Sequence, residues 1–538
     1  MEHTYFDYII VGAGPAGLQT GYFLDKRTRN YCILERAENA GSFFSKFPRQ
    51  RNLISINKIY TGYSDPEVNL RWDWNSLLSD SPDLLFKNYS KDYFPHSDDL
   101  VRYLKDFSEH HGLNIQYKTE VKTIEKTGDG LFHILTSKGG YHCKNLIMAT
   151  GIPQQYVPDI EGIEHCEPYS ECSISADDYV DKRVLIVGKG NSGFELADLL
   201  VATASRIHLI SPKNISFAWK THYVGNLRAV NNNLLDTYLL KSQNAILNAH
   251  LQRIVKQEDG TFLATVDYTK VRGGELEEFE YDKVILACGF QMDASIFGEN
   301  AKPRLTHSDK LPDLSPEWES TNVANLFFAG ALSHSLDYKK STSGFIHGFR
   351  YNCDALVRIL DKKNHGVDFN GLNLKTVDAD TITDLVIEKI NRSSALWQQF
   401  GFLGDVLVLD LDKGKGKYLE SLPRNYIHKI LCKDQKCYFI FTLEYGTRHF
   451  DPFGDHVERI NRFDFESAEE SDFLHPVIRK CSEGKIVEEI HLIEDFASEF
   501  NREEHIGPLR KFLESSLGTI GTKDIKGHKS YVGETNAR

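Results

Sequence analysis

The sequence predicts an α/β fold, because a strand, a glycine-rich turn and a helix follow one another at two places along the chain. Both turns have the spacing Gly-x-Gly-x-x-Gly, the first beginning at Gly12 and the second at Gly188. The 538 residues suffice for about three to four domains, and 41% of them are hydrophobic, which is typical of a globular chain. We therefore expect two Rossmann-like domains and a C-terminal α+β extension.

The charge balance and the cysteines exclude several classes of function. Lys and Arg number 63 against 76 Asp and Glu, so no basic excess exists to displace the counterions of a nucleic acid. No apolar run reaches the roughly 18 residues that span a bilayer. The nine cysteines are scattered, and the spacing of Cys432 and Cys437 does not predict a metal site. Scattered cysteines in a chain of this length indicate reduced thiols. Since the chain also begins in its first strand and ends in GETNAR, we expect a cytoplasmic protein.

The first strand–turn–helix unit follows the strand FDYIIV. Its first glycine permits a tight turn, its second lets the backbone approach a pyrophosphate, and its third lets the helix pack on the strand. The free N–H groups of the helix start would face the phosphates. The candidate residues are Gly12, Gly14, Pro15, Ala16 and Gly17.

A second strand, residues 31–34, ends at Glu35. This carboxylate would accept hydrogen bonds from both ribose hydroxyls and would repel a 2′-phosphate, which favours FAD or NAD over NADP at this site. We also expect Arg36, next to Glu35, and Val121, in a following strand, to contact the dinucleotide.

The second unit begins at Val184 and contains the motif residues Gly188, Gly190, Asn191, Ser192 and Gly193. The strand after it ends at Ser211 and not at an acid, and Lys213 follows two residues later. No carboxylate is therefore present to repel a 2′-phosphate, and Lys213 could pair with it. The sequence favours NADPH over NADH at this second site.

Three later strand ends predict how the two domains are connected. Ala149-Thr150-Gly151 and the segment containing Gly289 each end a strand with a small residue and a glycine, which suits a chain crossing near the cofactors. Gly330 ends another strand before a helix that could aim its N–H groups at the flavin. We predict an FAD domain interrupted by an NAD(P)H domain and followed by the extension, with the boundaries 1–165, 166–290, 291–365 and 366–538. In the extension, LGDVLVLDLD, YIHKILC, CYFIFTLEYG and KIVEEIHLIED predict strands.

The strings VGAGPAG, ATG at 149–151, GKGNSG and CGF at 288–290 together resemble the class B flavin-dependent monooxygenases. The resemblance implies a tightly held FAD, hydride from NADPH, and oxygenation of a nitrogen, a sulfur or a ketone through a C4a-(hydro)peroxyflavin. Longer strings at 48–58, 70–78, 217–242 and 333–352 resemble the FAD-dependent oxidoreductase domain-containing family, which includes a luminal endoplasmic-reticulum flavoprotein of animals.

This sequence departs from the class B pattern at two positions. Tyr169 stands where the motif F-x-G-x-x-x-H has its histidine, and Ala331 follows Gly330 where an aspartate is common. The luminal relative has a signal peptide and a retention tail, whereas this sequence begins in its first strand and ends in GETNAR, so we do not expect luminal residence from the resemblance.

Five residues are candidates for the chemistry. Arg51, Asn57 and Lys58 lie in the long irregular segment 43–96, from which a donor could stabilise charge at flavin N5 or at a peroxide oxygen. His222 could act as an acid or base or bind the nicotinamide ribose, and Asp337 could compensate for the aspartate missing at 331.

Three functions stay open at this point. The leading one is an NADPH-dependent, single-component FAD monooxygenase that acts on a small molecule with O2. The second is an FAD-dependent NADPH oxidoreductase or oxidase that passes electrons to a protein partner or to O2. The third is a binding protein whose extension at 366–538 recruits a partner. A dithiol reductase is disfavoured, because Cys166 and Cys172 lack the CxxC spacing.

Overall fold

The computed structural model describes residues 4–410, 413–447 and 459–518, so the terminal string GETNAR lies outside the described residues. The chain divides into two compact units, Met1–Asp368 and Phe369–Arg538. Both glycine motifs lie in the first unit. No helix among the described residues is long and apolar enough to cross a bilayer. The predicted α/β fold class, with a C-terminal α+β part, is confirmed.

The first stretch of the first unit follows the sequence prediction closely. Pro15 starts the first helix, where its missing N–H is not needed, and the second strand has the predicted limits. In chain order the helices and strands are β1 (Thr4–Val11), α1 (Pro15–Lys26), β2 (Tyr31–Leu34), α2 (Pro66–Asn69), α3 (Ser97–His110), β3 (Ile115–Gln116), β4 (Val121–Lys126), β5 (Phe132–Thr136), β6 (Gly139–Met148) and β7 (Gln154–Gln155).

The remainder of the first unit contains the second glycine motif and the return to the first sheet. Its elements are β8 (Glu167–Pro168), β9 (Arg183–Val187), α4 (Asn191–Leu200), β10 (Arg206–Ser211), α5 (Ala218–Thr221), α6 (Asn233–Leu239), β11 (Ala245–Lys256), β12 (Phe262–Tyr268), β13 (Leu276–Tyr281), β14 (Lys283–Leu286), β15 (Phe290–Gln291), β16 (Leu305–Thr306), β17 (Leu311–Pro312), β18 (Leu326–Phe328) and α7 (Ile346–His365). A 3₁₀ helix, Gly330–Asp337, stands between β18 and α7.

Two seven-stranded sheets organise the first unit. The first has the order β3-β2-β1-β6-β5-β4, with β18 pairing parallel to β6. The second has the order β13-β12-β11-β10-β9-β14-β8. The chain leaves the first sheet after β6 and returns to it at β18, so the second sheet is inserted between them. The two crossings, β7 and β15, pair as a short antiparallel ribbon.

The second unit is a six-stranded antiparallel sheet with the order β19-β21-β20-β22-β23-β24. Helices α8 and α11 contribute Val386, Ile390 and Leu509 to a core that also contains Phe439 and Phe441 of β22. The elements are β19 (Leu372–Leu374), α8 (Ala379–Arg392), α9 (Ser394–Gln398), β20 (Leu403–Asp410), β21 (Lys415–Pro423), α10 (Arg424–Tyr426), β22 (Tyr438–Glu444), β23 (His475–Ser482), β24 (Lys485–His491) and α11 (Glu503–Gly518).

One strand prediction in this unit is wrong. YIHKILC forms the end of α10 and a π-helical turn, Ile427–Leu431. A half-buried strand would bury alternate side chains, whereas the neighbours Tyr426 and Ile427 are both buried and Ile430 is exposed. Packing therefore overrides the β propensity of this short run.

Candidate active site between two cavities

The first glycine motif leaves an open cradle at the start of α1. Gly12 has a φ of +103°, and a Cβ there would lie 2.8 Å from the Ala149 carbonyl oxygen. A Cβ at Gly17 would lie 1.9 Å from the Gly12 oxygen, so this position needs glycine for packing. A Cβ at Gly14 would meet nothing within 4 Å. The space in front of the helix N-terminus is thus free for the pyrophosphate of a dinucleotide.

Glu35 is fixed at the end of β2 by backbone amides. It is buried, and its two carboxylate oxygens each accept a hydrogen bond of 2.8 Å, one from the Ala13 N–H and one from the Ala37 N–H. An oriented carboxylate at this strand end suits a ribose diol. Together with the open cradle it fits FAD. Arg36 is exposed, and Val121 is half-buried at the start of β4.

The second glycine motif repeats this geometry at α4. A Cβ at Gly188 would lie 2.2 Å from the Ala287 oxygen, and one at Gly193 would lie 2.5 Å from the Gly188 oxygen. A Cβ at Gly190 would meet nothing within 4 Å. Asn191 holds the loop above this helix, because its Oδ1 accepts from the Arg228 N–H at 2.9 Å and its Nδ2 donates to the Asn226 oxygen at 2.8 Å.

Each motif opens into a cavity. The cavity at the start of α1, here called the α1 cavity, has a volume of about 480 Å³, and the α4 cavity has about 1280 Å³. Predicted residues that line the α1 cavity are Gly14, Pro15, Ala16, Ala149, Thr150, Gly151 and Gly330. Those that line the α4 cavity are Gly188, Gly190, Ser211, Lys213 and Gly289. Seven residues line both, and we call them the junction: Ile152, Asn191, Ser192, Phe290, Ala331, Gly344 and Phe345.

Lysines surround the α4 cavity. Lys189, Lys213, Lys310 and Lys339 all line it. Lys189 is buried and donates to the Leu247 oxygen and to Asn248 Oδ1, and burial, with a contribution from Lys270, lowers its pKa to about 8. Asp159 and Glu161 also line this cavity, so four lysines outnumber two acids, and this excess of basic residues suits a dinucleotide with an additional phosphate. Of these four lysines only Lys213 could be predicted from the sequence, although Lys189 lies inside the glycine motif.

A hydrogen-bonded chain of three side chains stands beside the junction. The Tyr223 hydroxyl lies 3.1 Å from His334 Nε2, and His334 Nδ1 lies 3.3 Å from an Asp337 carboxylate oxygen. His334 and Asp337 are buried, and Tyr223 and His334 line the α4 cavity. Burial raises the pKa of Tyr223 above its usual range, and Tyr338 and Asp337 raise it further, so the hydroxyl stays protonated. This arrangement can hold or transfer a proton next to the junction.

The five predicted catalytic side chains line neither cavity. Arg51 donates to the Phe44 oxygen and pairs with Asp98, while Asn57 is buried and donates to the Ser90 and Asp92 oxygens. Both side chains therefore stabilise the irregular segment 43–96. Lys58 is exposed. His222 is the left-handed residue that ends α5, and its neighbour Tyr223 takes the cavity position. Asp337 contacts His334, which lines the α4 cavity and whose Nδ1 lies 3.3 Å from an Asp337 carboxylate oxygen.

The four long strings that carry the family resemblance converge on the α1 cavity. The lining includes Ile54, Trp74, Arg228 and His347, one from each string. Arg350 ties two of them together, because its guanidinium donates to the backbone oxygens of Leu70, Asp73 and Ser76. Sequence reasoning missed Arg228, His334 and His347, since each becomes a site residue only through contacts with distant segments.

The chain matches the pyridine nucleotide-disulphide oxidoreductase family over residues 9–330. It is 36% identical to FAD-dependent oxidoreductase domain-containing protein 2 of Mus musculus, over 95% of this chain and 84% of that relative. The fold resembles the bacillithiol disulfide reductase of Staphylococcus aureus, with a TM-score of 0.51 and 18% identity, over 67% of this chain and 99% of the other.

It also resembles the FAD-bound cadaverine monooxygenase of the desferrioxamine pathway from Erwinia amylovora, with a TM-score of 0.51 and 13% identity, over 66% of this chain and 94% of the other. A reductase and a monooxygenase thus share the fold equally, and the fold alone does not select between them. The open cradles, the buried Glu35 and the lysines of the α4 cavity fit FAD and NADPH. The chain is a flavin-dependent oxidoreductase of the pyridine nucleotide-disulphide oxidoreductase family, and its cofactors are FAD and NADPH.

Proposed function

We propose that the chain is an NADPH-dependent, single-component FAD monooxygenase that oxygenates a small molecule at nitrogen, at sulfur or beside a ketone. The observation that carries the proposal is the junction. The cavity of the NADPH motif and the cavity of the FAD motif share seven lining residues, and among the described residues no cysteine lines the α1 cavity. Bound cofactors would therefore lie next to each other for hydride transfer, while the thiol that a disulfide reductase needs beside its flavin is missing from this wall.

The cysteine that lines the α4 cavity is unsuited to redox exchange. Cys288 lines the α4 cavity and its thiol donates to the Val187 oxygen at 3.3 Å. Burial raises the pKa of Cys288 to about 11 and that of Cys166, in the same apolar cluster, to about 12. Since the thiolate is the reactive form, both side chains are held in the unreactive state at neutral pH.

The cofactors supply hydride and oxygen chemistry when they are bound, and the chain's own residues position and protect them. Gly14 and Gly190 leave space for the two pyrophosphates, and Glu35 orients the first ribose. The aromatic rings of Phe44, Phe47 and Trp74 line the α1 cavity and exclude water from it. Tyr223, backed by His334 and Asp337, holds a proton beside the junction.

The test compares the amounts of NADPH oxidised, O2 consumed and product formed by the purified, FAD-loaded chain. NADPH oxidation, O2 uptake and product are measured with amines, thioethers and ketones as substrates. One O2 consumed and one oxygenated product formed per NADPH supports the proposal. Quantitative H2O2 with every compound would instead identify an oxidase, and NADPH oxidation that needs a protein acceptor would identify an electron-transfer reductase.

Cysteine variants separate a monooxygenase from a dithiol reductase. Cys288→Ser and Cys166→Ser are expected to retain NADPH oxidation within about twofold, because neither thiol has a chemical role in the proposal. A loss of activity larger than a hundredfold in Cys288→Ser, with FAD retained, would contradict it. Far-UV circular dichroism and FAD content of both variants control for folding.

The second unit is our proposed binding site for a protein partner. The residues that line the two cavities all belong to the first unit. A chain truncated after Asp368 is expected to keep FAD and NADPH oxidation, and to lose binding to a partner that the full chain retains. Loss of FAD on truncation would assign this unit a structural role.

We also propose a cytoplasmic location. All nine cysteines are free thiols, which suits a reducing compartment. Alkylation of the protein in rapidly quenched cell extracts, under denaturing conditions, is expected to label all nine. Protection of a pair of cysteines until a reductant is added would argue for an oxidising compartment.

A further inference from the structure

One end of the α1 cavity is built from Trp74, Arg228 and His347. The His347 ring stacks on Trp74 with 4.2 Å between ring centroids, and the Arg228 guanidinium lies 5.3 Å from the Trp74 ring on which it packs. All three side chains line the cavity, and they come from three separate segments of the chain. Stacking fixes the two polar side chains against a common aromatic surface.

Arg228 is a half-buried cation that has no acidic partner in the part of the chain that the structure describes. One guanidinium nitrogen donates to the Ile54 oxygen at 2.9 Å. Among the described residues no carboxylate lies within ion-pair distance of it. Burial lowers the pKa of Arg228, yet an arginine stays charged at physiological pH. A desolvated charge that no protein group balances is costly, which indicates that a ligand supplies the counter-charge.

His347 supplies a second, independent indication of a ligand. Only 2% of the residue is exposed, and neither ring nitrogen has a hydrogen-bond partner among the described residues. Burial, together with the charges of Arg350 and Arg228, holds the pKa of His347 well below its usual range, so the ring is neutral. A neutral imidazole offers one N–H donor and one acceptor, and leaving both unused in a buried position is unfavourable.

The only acid on the wall of the α1 cavity, within the described ranges, is already engaged. Glu195 accepts hydrogen bonds from the Gln50 N–H at 3.2 Å and from the Tyr169 hydroxyl at 3.1 Å. Burial raises its pKa. Most of the remaining wall is apolar and includes Phe44, Leu53 and Phe349. The cavity thus has one cationic end and a largely apolar body.

We propose that Arg228 and His347 bind the carboxylate of the substrate, so that the substrates are small organic acids with an apolar or aromatic body. A guanidinium can donate two N–H bonds to a carboxylate, and the imidazole N–H can complete the contact. The inference rests on the proposed function, because it names the substrate class of that site. The counter-charge of Arg228 could also be an anionic oxygen of the flavin ring. The experiment below distinguishes a substrate carboxylate from a flavin oxygen.

The experiment is a binding titration of the full, FAD-loaded chain in its oxidised state. Benzoate, phenylacetate and 3-phenylpropionate are each compared with the corresponding amide by isothermal titration calorimetry. We expect at least one acid to bind ten or more times as tightly as its amide. Arg228→Gln is expected to abolish this preference, and His347→Phe, which keeps the stacking ring, to reduce it severalfold. Lys220→Gln, an exposed lysine of the same segment, is the control.

Two results would overturn the inference. One is that acid and amide bind within twofold of each other in all three pairs. The other is that the preference persists in Arg228→Gln while the midpoint potential of the bound FAD changes, since Arg228 would then serve the flavin ring. Binding to the oxidised enzyme needs no turnover, so its failure is distinguishable from failure of the monooxygenase proposal.

Discussion

The Tyr223 hydroxyl lies 3.1 Å from Nε2 of His334, across 111 positions of sequence. The Lys339 N–H donates to the same Nε2 at 3.1 Å, so this nitrogen carries the lone pair and Nδ1 carries the proton. Nδ1 then donates to Asp337, whose other oxygen accepts from the Ser343 N–H. His334 is therefore oriented as a base toward Tyr223, beside the place where the two cavities meet.

This arrangement predicts that Tyr223→Phe lowers turnover while FAD stays bound. The variant keeps the ring, which stacks on His334 with 5.5 Å between centroids, and removes only the hydroxyl. Loss of a positioned proton donor reduces rates by about 10²-fold or more. Steady-state NADPH oxidation with the best substrate measures the effect, and the solvent deuterium isotope effect on kcat should change.

His222→Ala provides the matched control for Tyr223→Phe. His222 lies next to Tyr223 in sequence but lines neither cavity. Its removal is expected to change turnover by less than about threefold. Equal losses in the two variants would show that the segment is needed for folding and that the Tyr223 hydroxyl has no specific role.

His222 also shows where the sequence was insufficient. A histidine in a polar segment is a reasonable candidate, but a left-handed turn with φ +55° at His222 ends α5, and Tyr223 takes the cavity position. Because of this backbone conformation, the side chain that lines the α4 cavity is that of Tyr223 and not that of the predicted His222. The glycine motifs could be predicted because strand, turn and helix are local. Arg228, His334 and His347 could not, because only the folding of distant strings brings them to one site.

Substitution of the second and third glycines of the second motif by alanine is expected to give opposite phenotypes. A Cβ at Gly190 enters open space, so Gly190→Ala should keep stability and FAD but weaken NADPH binding by about tenfold or more, because it fills the pyrophosphate cradle. A Cβ at Gly193 lies 2.5 Å from the Gly188 oxygen, so Gly193→Ala should lower the free energy of unfolding by about 1–3 kcal/mol or more.

Urea unfolding and NADPH titration of both glycine variants measure these effects. The prediction depends on the contrast between them. A destabilised Gly190→Ala with unchanged NADPH affinity would contradict the assignment of the open space to the cofactor.

Lys189 predicts a pH dependence of NADPH binding. Its pKa of about 8 means that the side chain is charged below pH 8 and neutral above it in the free enzyme. The phosphates of NADPH favour the charged form, so affinity should fall as pH rises above about 8, by at most about tenfold per pH unit for one proton. Lys189→Gln should bind more weakly at pH 7 and lose most of this dependence. Fluorescence titration between pH 7 and 9.5 measures it, and a wild-type affinity that is constant over this range would contradict the role.

Lys213 predicts the choice between NADPH and NADH. It is exposed on the wall of the α4 cavity, two residues after Ser211 ends β10. Lys310 lines the same cavity, and burial lowers its pKa, with repulsion from Lys339 and Lys213 lowering it further. Lys213→Gln should lower kcat/KM for NADPH by about tenfold and leave the value for NADH unchanged, because NADH has no 2′-phosphate. Lys220→Gln, outside the cavity, should change neither value. A parallel loss for both nucleotides in Lys213→Gln would show that Lys213 contacts a group common to both, such as the pyrophosphate.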